Sequence, residues 1–171
     1  MKIYNNILIA MDDSEDALRA AKRVMELVKN KEISTPEEKD KNKSKIVAFH
    51  SIMHHAFPQG LLIPVPSPFG SSSYMMPPIF YQKLEQEYRE HGRQILNKVK
   101  ELFDKENVPI ETRLIDDQTP AEYIIKVNEH EKFDLIALGC KGEHSKLEEL
   151  LLGTVAYDIL NKIDSDILIV R

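Results

Sequence analysis

The chain has 171 residues, of which 42% are hydrophobic and 30% charged, and its formal net charge is −5. A chain of this length can bury roughly 70% of the surface that its unfolded form exposes, so a core can form without disulfides or metals. The composition excludes disordered and fibrous classes, and a negative net charge without a cluster of Lys and Arg argues against a nucleic-acid binder.

The cysteine and hydropathy patterns indicate an intracellular protein. Cys140 is the single cysteine, so no internal disulfide can form, which fits a reducing compartment. The apolar run at residues 7–11 is followed at once by acids and fits neither a signal peptide nor a transit peptide. No apolar stretch reaches the roughly 18 to 20 residues that a membrane helix needs. We therefore expect a cytoplasmic protein with no membrane and no nucleic-acid partner.

The start of the chain predicts a strand, a tight turn and a helix. Residues 7–10 form a continuous apolar run that is too short for a helix and is typical of a strand buried on both faces. From Ala17 to Val28 apolar residues recur at helical spacing. Ser14 is placed to cap this helix, and acids occupy its first turn.

Two connections flank a second strand at residues 45–52. Residues 31–44 are charged and almost without apolar residues, which predicts an exposed irregular connection. Between residues 51 and 82 there is no charged residue, and six of the nine prolines fall between Pro58 and Pro78. This Pro-rich stretch predicts an irregular loop at about residues 53–80, which we expect to act as a flap or a partner contact.

Helices and strands alternate through the rest of the chain. In order, the patterns predict a long amphipathic helix at about 81–106 interrupted around Gly92, a strand at 110–115, a helix from Pro120 to about 131, a strand at 133–139, a helix with apolar positions from Leu147 to Leu160, and a strand at 166–171. The alternation predicts an α/β fold with one domain over residues 1–171. That domain is an open five-stranded parallel sheet with helices on both faces, Rossmann-like in architecture.

The loop after the fourth strand carries residues suited to an anion. Ligands of open α/β sheets collect at the carboxyl ends of the strands, where free N–H groups at helix N-termini attract anions. Gly139 and Gly142 let the backbone come close to an anion, and Lys141 can add charge. Gly153 and Thr154 would supply further N–H groups and a hydroxyl.

The same glycines also suit a plain turn. Two glycines after a buried strand are commonly turn residues, and a glycine in an apolar helix often marks close packing. Neither the phosphate-loop signature nor the dinucleotide signature occurs in the chain. The residues alone therefore leave two interpretations open, an anion-binding loop and a plain turn. After the first strand, Asp12 is placed to accept hydrogen bonds from a ribose or a base.

Three stretches of the chain resemble the universal stress protein family. They are ILIAMDDSEDALRAAKRV at residues 7–24, TPAEYIIKVNEHEKFDLIALGCKG at 119–142 and LLLGTVAYDILNKIDSDILIVR at 150–171. The resemblance covers nearly the whole chain except residues 31–44 and 53–80. It implies a fold like that of the adenine nucleotide alpha hydrolases.

The resemblance also implies a nucleotide site. Nucleotide-binding members carry Gly, two residues, Gly, nine residues, and Gly with Ser or Thr, a pattern that holds the ATP phosphates. Here the matching residues are Gly139, Gly142, Gly153 and Thr154, but ten residues, 143–152, separate the second and third glycines. We expect the extra residue to bulge in the loop.

Other site residues follow from the same resemblance. Asp12 matches the family acid that contacts ribose or adenine. Four residues are expected to line the adenine slot, namely Ala10, Met11, Ser51 and Leu138. The implied cofactor is ATP, accompanied by Mg²⁺, and the implied assembly is a homodimer through the C-terminal strand.

Three functions remain open from the sequence. The first is an ATP-binding stress-response or regulatory protein; the second is a nucleotide-free dimeric scaffold whose Pro-rich loop binds a partner; the third is a slow ATP-hydrolysing or phosphate-transferring enzyme. No activated nucleophile or phosphate-transfer base is evident, so no catalytic residue is assigned and at most weak ATP hydrolysis is expected. His50, His54 and His55 lack a convergent third and fourth ligand, so no metal site is predicted.

Overall fold

A computed structural model of the chain describes residues 4–34, 44–53, 62–67, 70–75, 78–140 and 153–171. The described strands are β1 (Asn6–Ala10), β2 (Lys45–Ser51), β3 (Leu62–Ser67), β4 (Gly70–Met75), β5 (Glu111–Ile115), β6 (Leu135–Gly139) and β7 (Asp166–Val170). The described helices are α1 (Glu15–Ser34), α2 (Pro78–Lys105), α3 (Pro120–Glu131) and α4 (Thr154–Ile159).

Five of the strands form one parallel sheet in the order β5-β2-β1-β6-β7. The central strand is β1, in which Leu8 pairs with Val47 of β2 on one side and with Ile136 of β6 on the other. The chain passes from β1 to β2 in one direction and from β6 to β7 in the other. The point where the strand order reverses therefore lies between β1 and β6. The predicted open five-stranded parallel sheet is confirmed.

Helices cover both faces of this sheet, as the sequence predicts. One core lies between the sheet and helices α1 and α2, where Ile9, Val24 and Val99 are buried together. The other lies between the sheet and helices α3 and α4, where Leu8 packs with Ile124. Leu8 and Ile9 belong to different cores because successive strand residues point to opposite faces. Each such side chain contributes about 1.5–3 kcal/mol on full burial.

The Pro-rich segment corrects one expectation. The sequence predicts an irregular loop at residues 53–80, but β3 and β4 form an antiparallel two-stranded ribbon within it. Ser67 and Gly70 are the first pair of the ribbon, and Pro66 and Pro64 pair with Ser71 and Ser73. Hydrogen-bonded and non-hydrogen-bonded pairs alternate along an antiparallel ribbon, so Pro64 and Pro66, two residues apart, take the same kind of position. At a non-hydrogen-bonded position the backbone nitrogen faces outward and needs no N–H, so both prolines fit there. Proline is therefore compatible with this strand.

Helix boundaries also differ from the sequence prediction. Helix α1 continues to Ser34, four residues into the expected connection at 31–44, while residues 35–43 lie outside the described residues. Helix α2 begins at Pro78, where a proline in the first turn costs no hydrogen bond. Of the last predicted helix, α4 is described from Thr154, and residues 147–152 lie outside the described part of the chain.

Helix α3 starts where the sequence predicts, and its start is closed by a capping box. The Thr119 hydroxyl accepts a hydrogen bond from the Glu122 amide at 3.4 Å, and the Glu122 carboxylate accepts one from the Thr119 amide at 2.9 Å. The bond from the Thr119 amide, and then one that the Thr119 hydroxyl donates to the same carboxylate at 2.8 Å, hold the pKa of Glu122 below its usual value. The box fixes the turn between β5 and α3 at the carboxyl end of the sheet.

Strand β7 lies at one edge of the sheet, as expected for the C-terminal strand. All five of its residues are partly buried. A search of the described helices finds none long and apolar enough to cross a membrane.

Candidate functional site

The loop after β1 is anchored to its neighbour strand and to the start of α1. The Met11 amide donates a hydrogen bond to the Phe49 carbonyl of β2 at 2.8 Å. Oδ1 of Asp12 accepts hydrogen bonds from the Ser14 amide at 3.0 Å and from the Ser14 hydroxyl. That hydroxyl in turn accepts from the Ala17 amide at 3.1 Å, so Ser14 caps α1 as predicted. One carboxylate oxygen of Asp12 thus fixes the loop.

The other carboxylate oxygen of Asp12 is placed to meet a ligand. Asp12 is partly exposed, and within the described part of the chain its Oδ2 takes part in no hydrogen bond. A carboxylate oxygen accepts hydrogen bonds from hydroxyl and amino groups. Asp12 can therefore hold its loop with one oxygen and receive a ligand donor with the other.

Gly139 at the end of β6 packs directly against the first turn of α1. A Cβ at this position would lie 2.6 Å from the Ala17 nitrogen and 2.9 Å from the Asp16 carbonyl carbon. Real Cβ atoms do not approach backbone this closely, so only glycine fits here. The close approach brings the end of β6 beside the start of α1, next to the loop that carries Asp12. Packing within the protein therefore explains Gly139 in any case, whether or not a phosphate binds there.

The start of α4 returns to the same place. A Cβ on Gly153 would lie 2.8 Å from the Cys140 carbonyl oxygen and 4.0 Å from the Gly139 carbonyl oxygen. Gly153 is the N-cap of α4 with extended backbone, and Thr154, the first helical residue, is exposed. The two ends of the 139–154 segment thus meet at the strand-order reversal. Lys141 and Gly142 lie outside the described residues.

The residues expected to line the adenine slot divide between the two faces of the sheet. Leu138 is buried and Ala10 is partly buried, and both pack in the core beneath α3 and α4. Met11 is buried in the opposite core, beneath α1 and α2. The structure therefore brings Ala10 and Leu138 together, and it does not bring the Met11 side chain to them.

Met11 instead borders a small cavity of about 150 Å³. Its walls come from the loop after β1, the start of α1 and one side of α2, with the lining residues Met11, Asp12, Asp13, Ser14, Glu15, Leu18, Ile95 and Lys98. Ligand pockets generally measure about 300–1,000 Å³. This cavity is too small for a nucleotide and lies on the α1 and α2 side.

Ser51, at the end of β2, uses its hydroxyl within the protein. The hydroxyl donates a hydrogen bond to the Gln118 carbonyl at 2.6 Å and accepts one from the Met53 amide at 3.3 Å. Ser51 is 3% exposed. Its side chain joins the turn between β5 and α3 to the end of β2, so Ser51 shapes the floor of the site rather than offering its hydroxyl to a ligand.

One acid after β1 and one acid after β5 form ion pairs with helix α2. A carboxylate oxygen of Asp13 lies 2.7 Å from Nζ of Lys98, and one of Asp116 lies 2.7 Å from Nη1 of Arg89. Exposed ion pairs of this kind contribute about 0–1 kcal/mol each. Among the described residues, no group of three or more His, Cys, Asp or Glu is arranged to hold a metal ion.

Cys140 is integrated into the edge of the sheet. It is 2% exposed, and its amide donates a hydrogen bond to the Val170 carbonyl at 2.7 Å. Its Sγ accepts a hydrogen bond from Nε of Arg171 at 3.5 Å, and this contact raises the pKa of Arg171 above its usual value. The loop after β6 is therefore joined to the end of β7.

Two residues beside the site were not assigned to it from the sequence. His50 in β2 is buried, with Nδ1 2.8 Å from the Met11 carbonyl oxygen. Gly92 of α2 faces the same imidazole. A signal for His50 was present, because a polar residue inside an apolar strand is usually buried only with a hydrogen-bond partner.

Comparison with known proteins gives the family of this architecture. Residues 61–171, more than half of the chain, match the model of the universal stress protein family. A universal stress protein of Methanocaldococcus jannaschii is 25% identical over 169 residues, which is 99% of this chain and 83% of that protein.

Solved structures with the same fold extend over the whole chain. A universal stress protein from Lactobacillus plantarum superposes with a TM-score of 0.69 at 16% identity, covering 100% of both chains. A universal stress protein in complex with cAMP has a TM-score of 0.58 at 20% identity, covering 99% of both chains. One from Archaeoglobus fulgidus in complex with dAMP has a TM-score of 0.57 at 15% identity, covering 99% of this chain and 100% of that one. On the family match and this shared fold, the chain belongs to the universal stress protein family.

Proposed function

We propose that this protein binds an adenine nucleotide, with ATP as the form bound, at the carboxyl end of the sheet between the loops after β1 and β6. The observation that carries the proposal is the close approach of Gly139 to the first turn of α1 and of Gly153 to Cys140. It brings both ends of the glycine-bearing loop next to the loop of Asp12, at the position where open α/β sheets bind ligands.

Each end of the proposed site has its own chemistry. At the nucleoside end, Oδ2 of Asp12 would accept a hydrogen bond from a ribose hydroxyl or the adenine amino group. Ala10 and Leu138 offer apolar surface to the base. At the other end, the phosphates would be held by Gly139, Lys141, Gly142, Gly153 and Thr154. We infer that Met11 and Ser51 line the site by their positions at its edge and not by side-chain contacts. The Met11 side chain lies in the opposite core, and the Ser51 hydroxyl is engaged within the protein.

The relatives support the class of ligand. The two complexes named above contain cAMP and dAMP, which share adenine, a sugar and one phosphate group. The adenine and the sugar that both ligands carry would occupy the nucleoside end of the proposed site, beside Asp12. ATP as the preferred form, with Mg²⁺ beside its phosphates, rests on the glycine pattern in residues 139–154.

The proposed role is regulatory, in the response of the cell to stress. No nucleophile or general base is assigned, so the bound nucleotide would be held and sensed, with at most slow hydrolysis. The proposed location is the cytoplasm, which the single cysteine and the composition favour.

The proposed assembly is a homodimer through β7. This strand lies at the edge of the sheet, and residues 167–170 are apolar. Edge strands with unpaired backbone groups are rarely left open in natural proteins. Pairing with the same strand of a second copy about a two-fold axis would satisfy both edges at once.

Nucleotide analysis of the purified protein tests the proposal. The protein is denatured and any released nucleotide is identified by chromatography and mass. Calorimetry on nucleotide-free protein then compares ATP, AMP, adenosine and GTP. We expect adenine nucleotides to bind and GTP to bind at least about tenfold more weakly. If no adenine nucleotide co-purifies and none binds when it is added, the proposal is contradicted and the nucleotide-free dimeric scaffold is favoured. A turnover assay with Mg²⁺ separates binding from catalysis.

A further inference from the structure

His50 lies in the middle of the structure that supports Asp12. It is 5% exposed, and its Nδ1 lies 2.8 Å from the carbonyl oxygen of Met11. The Met11 amide is bonded on the same side to the Phe49 carbonyl at 2.8 Å. Two successive residues of β2 therefore hold both backbone polar groups of Met11.

The bond to the Met11 carbonyl acts on Asp12 through the peptide plane. The carbonyl carbon of Met11, its oxygen and the amide nitrogen of Asp12 lie in one rigid plane. Fixing the carbonyl direction therefore fixes the direction in which the chain enters Asp12. The Oδ1 bonds to Ser14 then hold the carboxylate from the other side.

The chemistry of the contact determines the tautomer of the imidazole. A carbonyl oxygen can only accept a hydrogen bond, so Nδ1 of His50 must carry the proton. This bond does not depend on whether the ring as a whole is neutral or charged, because Nδ1 is protonated in both forms.

Helix α2 secures the ring from the side. A Cβ on Gly92 would lie 2.8 Å from Cδ2 of His50 and 2.6 Å from Cδ1 of Leu114. The helix backbone at Gly92 therefore approaches β2 closely enough that a side chain there would displace the imidazole. Packing that locks a supporting side chain is what holds a binding residue within a few tenths of an ångström.

We propose that His50 is a positioning residue for the nucleotide site, which acts by holding the Met11 carbonyl and so orienting Asp12. The inference rests on the proposed function above. His50 would make no contact with the ligand itself. Its effect would appear at the nucleoside end, so adenosine and ATP should be affected alike.

Three substitutions separate positioning from simple core packing. Asn places its amide nitrogen at the same number of bonds from Cβ as Nδ1, whereas Gln places it where Nε2 lies, and Leu provides no donor. We expect His50→Asn to keep the affinity for adenosine within about threefold of wild type. His50→Leu and His50→Gln should each lower it by about tenfold or more, because the Met11 carbonyl loses its donor.

The measurements are calorimetry with adenosine and ATP on protein shown to be folded by circular dichroism, beside urea unfolding of each variant. A purely structural role would lower the unfolding free energy and leave the affinity of the folded protein unchanged. Folded His50→Leu with wild-type affinity, or Asn and Leu variants of equal affinity, overturns the inference. If wild type binds neither ligand, the proposed function itself fails.

A spectroscopic measurement on the wild-type protein tests the inference even if the variants do not fold. Nitrogen-15 NMR of the histidine rings reports which nitrogen carries the proton. We expect protonated Nδ1 for His50, assigned by comparison with the spectrum of His50→Asn or, if that variant does not fold, through the backbone of the wild type. A ring protonated at Nε2 alone contradicts the bond to Met11 and overturns the inference.

Discussion

Arg113 and Glu131 form a bidentate ion pair that joins the edge strand β5 to the last turn of α3. Nη1 of Arg113 lies 2.6 Å from Oε1 of Glu131, and Nη2 lies 3.1 Å from Oε2. Nζ of Lys45, at the start of β2, lies 2.6 Å from the same carboxylate. Together with Lys45, the pair joins strands β5 and β2 to helix α3 at the end of the sheet opposite the proposed nucleotide site.

This ion pair predicts a stability change at acid pH. Hydrogen bonds from Arg113, and then from Lys45, lower the pKa of Glu131 from its usual value of 4.5 to about 2. A lowered pKa in the folded state contributes stability above pH 4.5 that is lost as the pH falls toward 2. We expect Glu131→Gln to cost about 2 kcal/mol at pH 7 and progressively less below pH 4. Urea unfolding of both proteins from pH 7 to pH 3 checks this, and a pH-independent difference would contradict it.

Asp12→Ala should weaken ATP and adenosine by similar factors. The proposed contact is to ribose or base, and loss of a hydrogen bond to a charged acceptor costs about 1.5–3 kcal/mol, or roughly 10- to 150-fold in affinity. Asp12→Asn is the matched control, because it keeps an oxygen that can accept from Ser14. Calorimetry compares the two variants. An Ala variant that loses ATP but binds adenosine normally would remove Asp12 from the nucleoside end.

Gly142→Val should lower the affinity for ATP by about tenfold or more and leave that for adenosine unchanged. The valine side chain would fill the space where the backbone is expected to approach phosphate, and positive φ is costly for a β-branched residue. The contrast with Asp12→Ala, which should affect both ligands, locates the two ends of the site. Unchanged ATP binding in calorimetry would exclude Gly142 from the cradle.

Two glycine-to-alanine substitutions should differ in their cost to folding. At Gly139 the new Cβ would meet backbone, the Ala17 nitrogen at 2.6 Å, so we expect a loss of about 3 kcal/mol or more. At Gly92 it would meet the ends of the Leu114 and His50 side chains. The Leu114 end can shift, whereas the His50 ring is held by its bond to Met11. Overpacking costs about 1–3 kcal/mol and alanine gains about 1 kcal/mol in a helix, so the net loss should stay within about 2 kcal/mol. Urea unfolding measures both, and equal losses would contradict the packing described for Gly139.

Ile169→Lys should dissociate the proposed homodimer or cause aggregation. The substitution would place two like charges near the two-fold axis and bury part of each. Light scattering at micromolar concentration gives the mass directly. A wild-type mass near that of one chain, 19.7 kDa, would refute the dimer. A dimer that survives the substitution would place the interface elsewhere.

The fold could be predicted from the sequence where hydrophobic period and capping residues agree. Ser14 and Pro120 mark helix starts, and the structure has helices there. The β3–β4 ribbon was missed because the prolines and the absence of charge outweighed the strand signal. To recognise β3 from the sequence, one must know that the backbone nitrogens of Pro64 and Pro66 both face the outer edge of the ribbon. This depends on the register of strand pairing.

The site could be predicted in part. The positions of Asp12 and Gly139 follow from their places at the ends of two predicted strands and from the rule that ligands of open sheets collect at the carboxyl ends of the strands. The proposed role of His50 could not be predicted, since it depends on a contact between residues 39 positions apart in sequence. The packing of Gly139 against α1 and the engagement of the Ser51 hydroxyl likewise depend on tertiary contacts that no local pattern encodes.

The outward prolines of β3 also limit what can be added to the ribbon. A strand from another molecule that approached this edge would find carbonyl oxygens but no N–H at Pro64 and Pro66, so a continuous ladder could not form. An uncharged ribbon with four serines and the β-branched Ile63 and Val65 would otherwise be a template for fibril growth. Proline at alternate positions thus lets the protein carry an uncharged ribbon whose β3 edge resists uncontrolled strand addition.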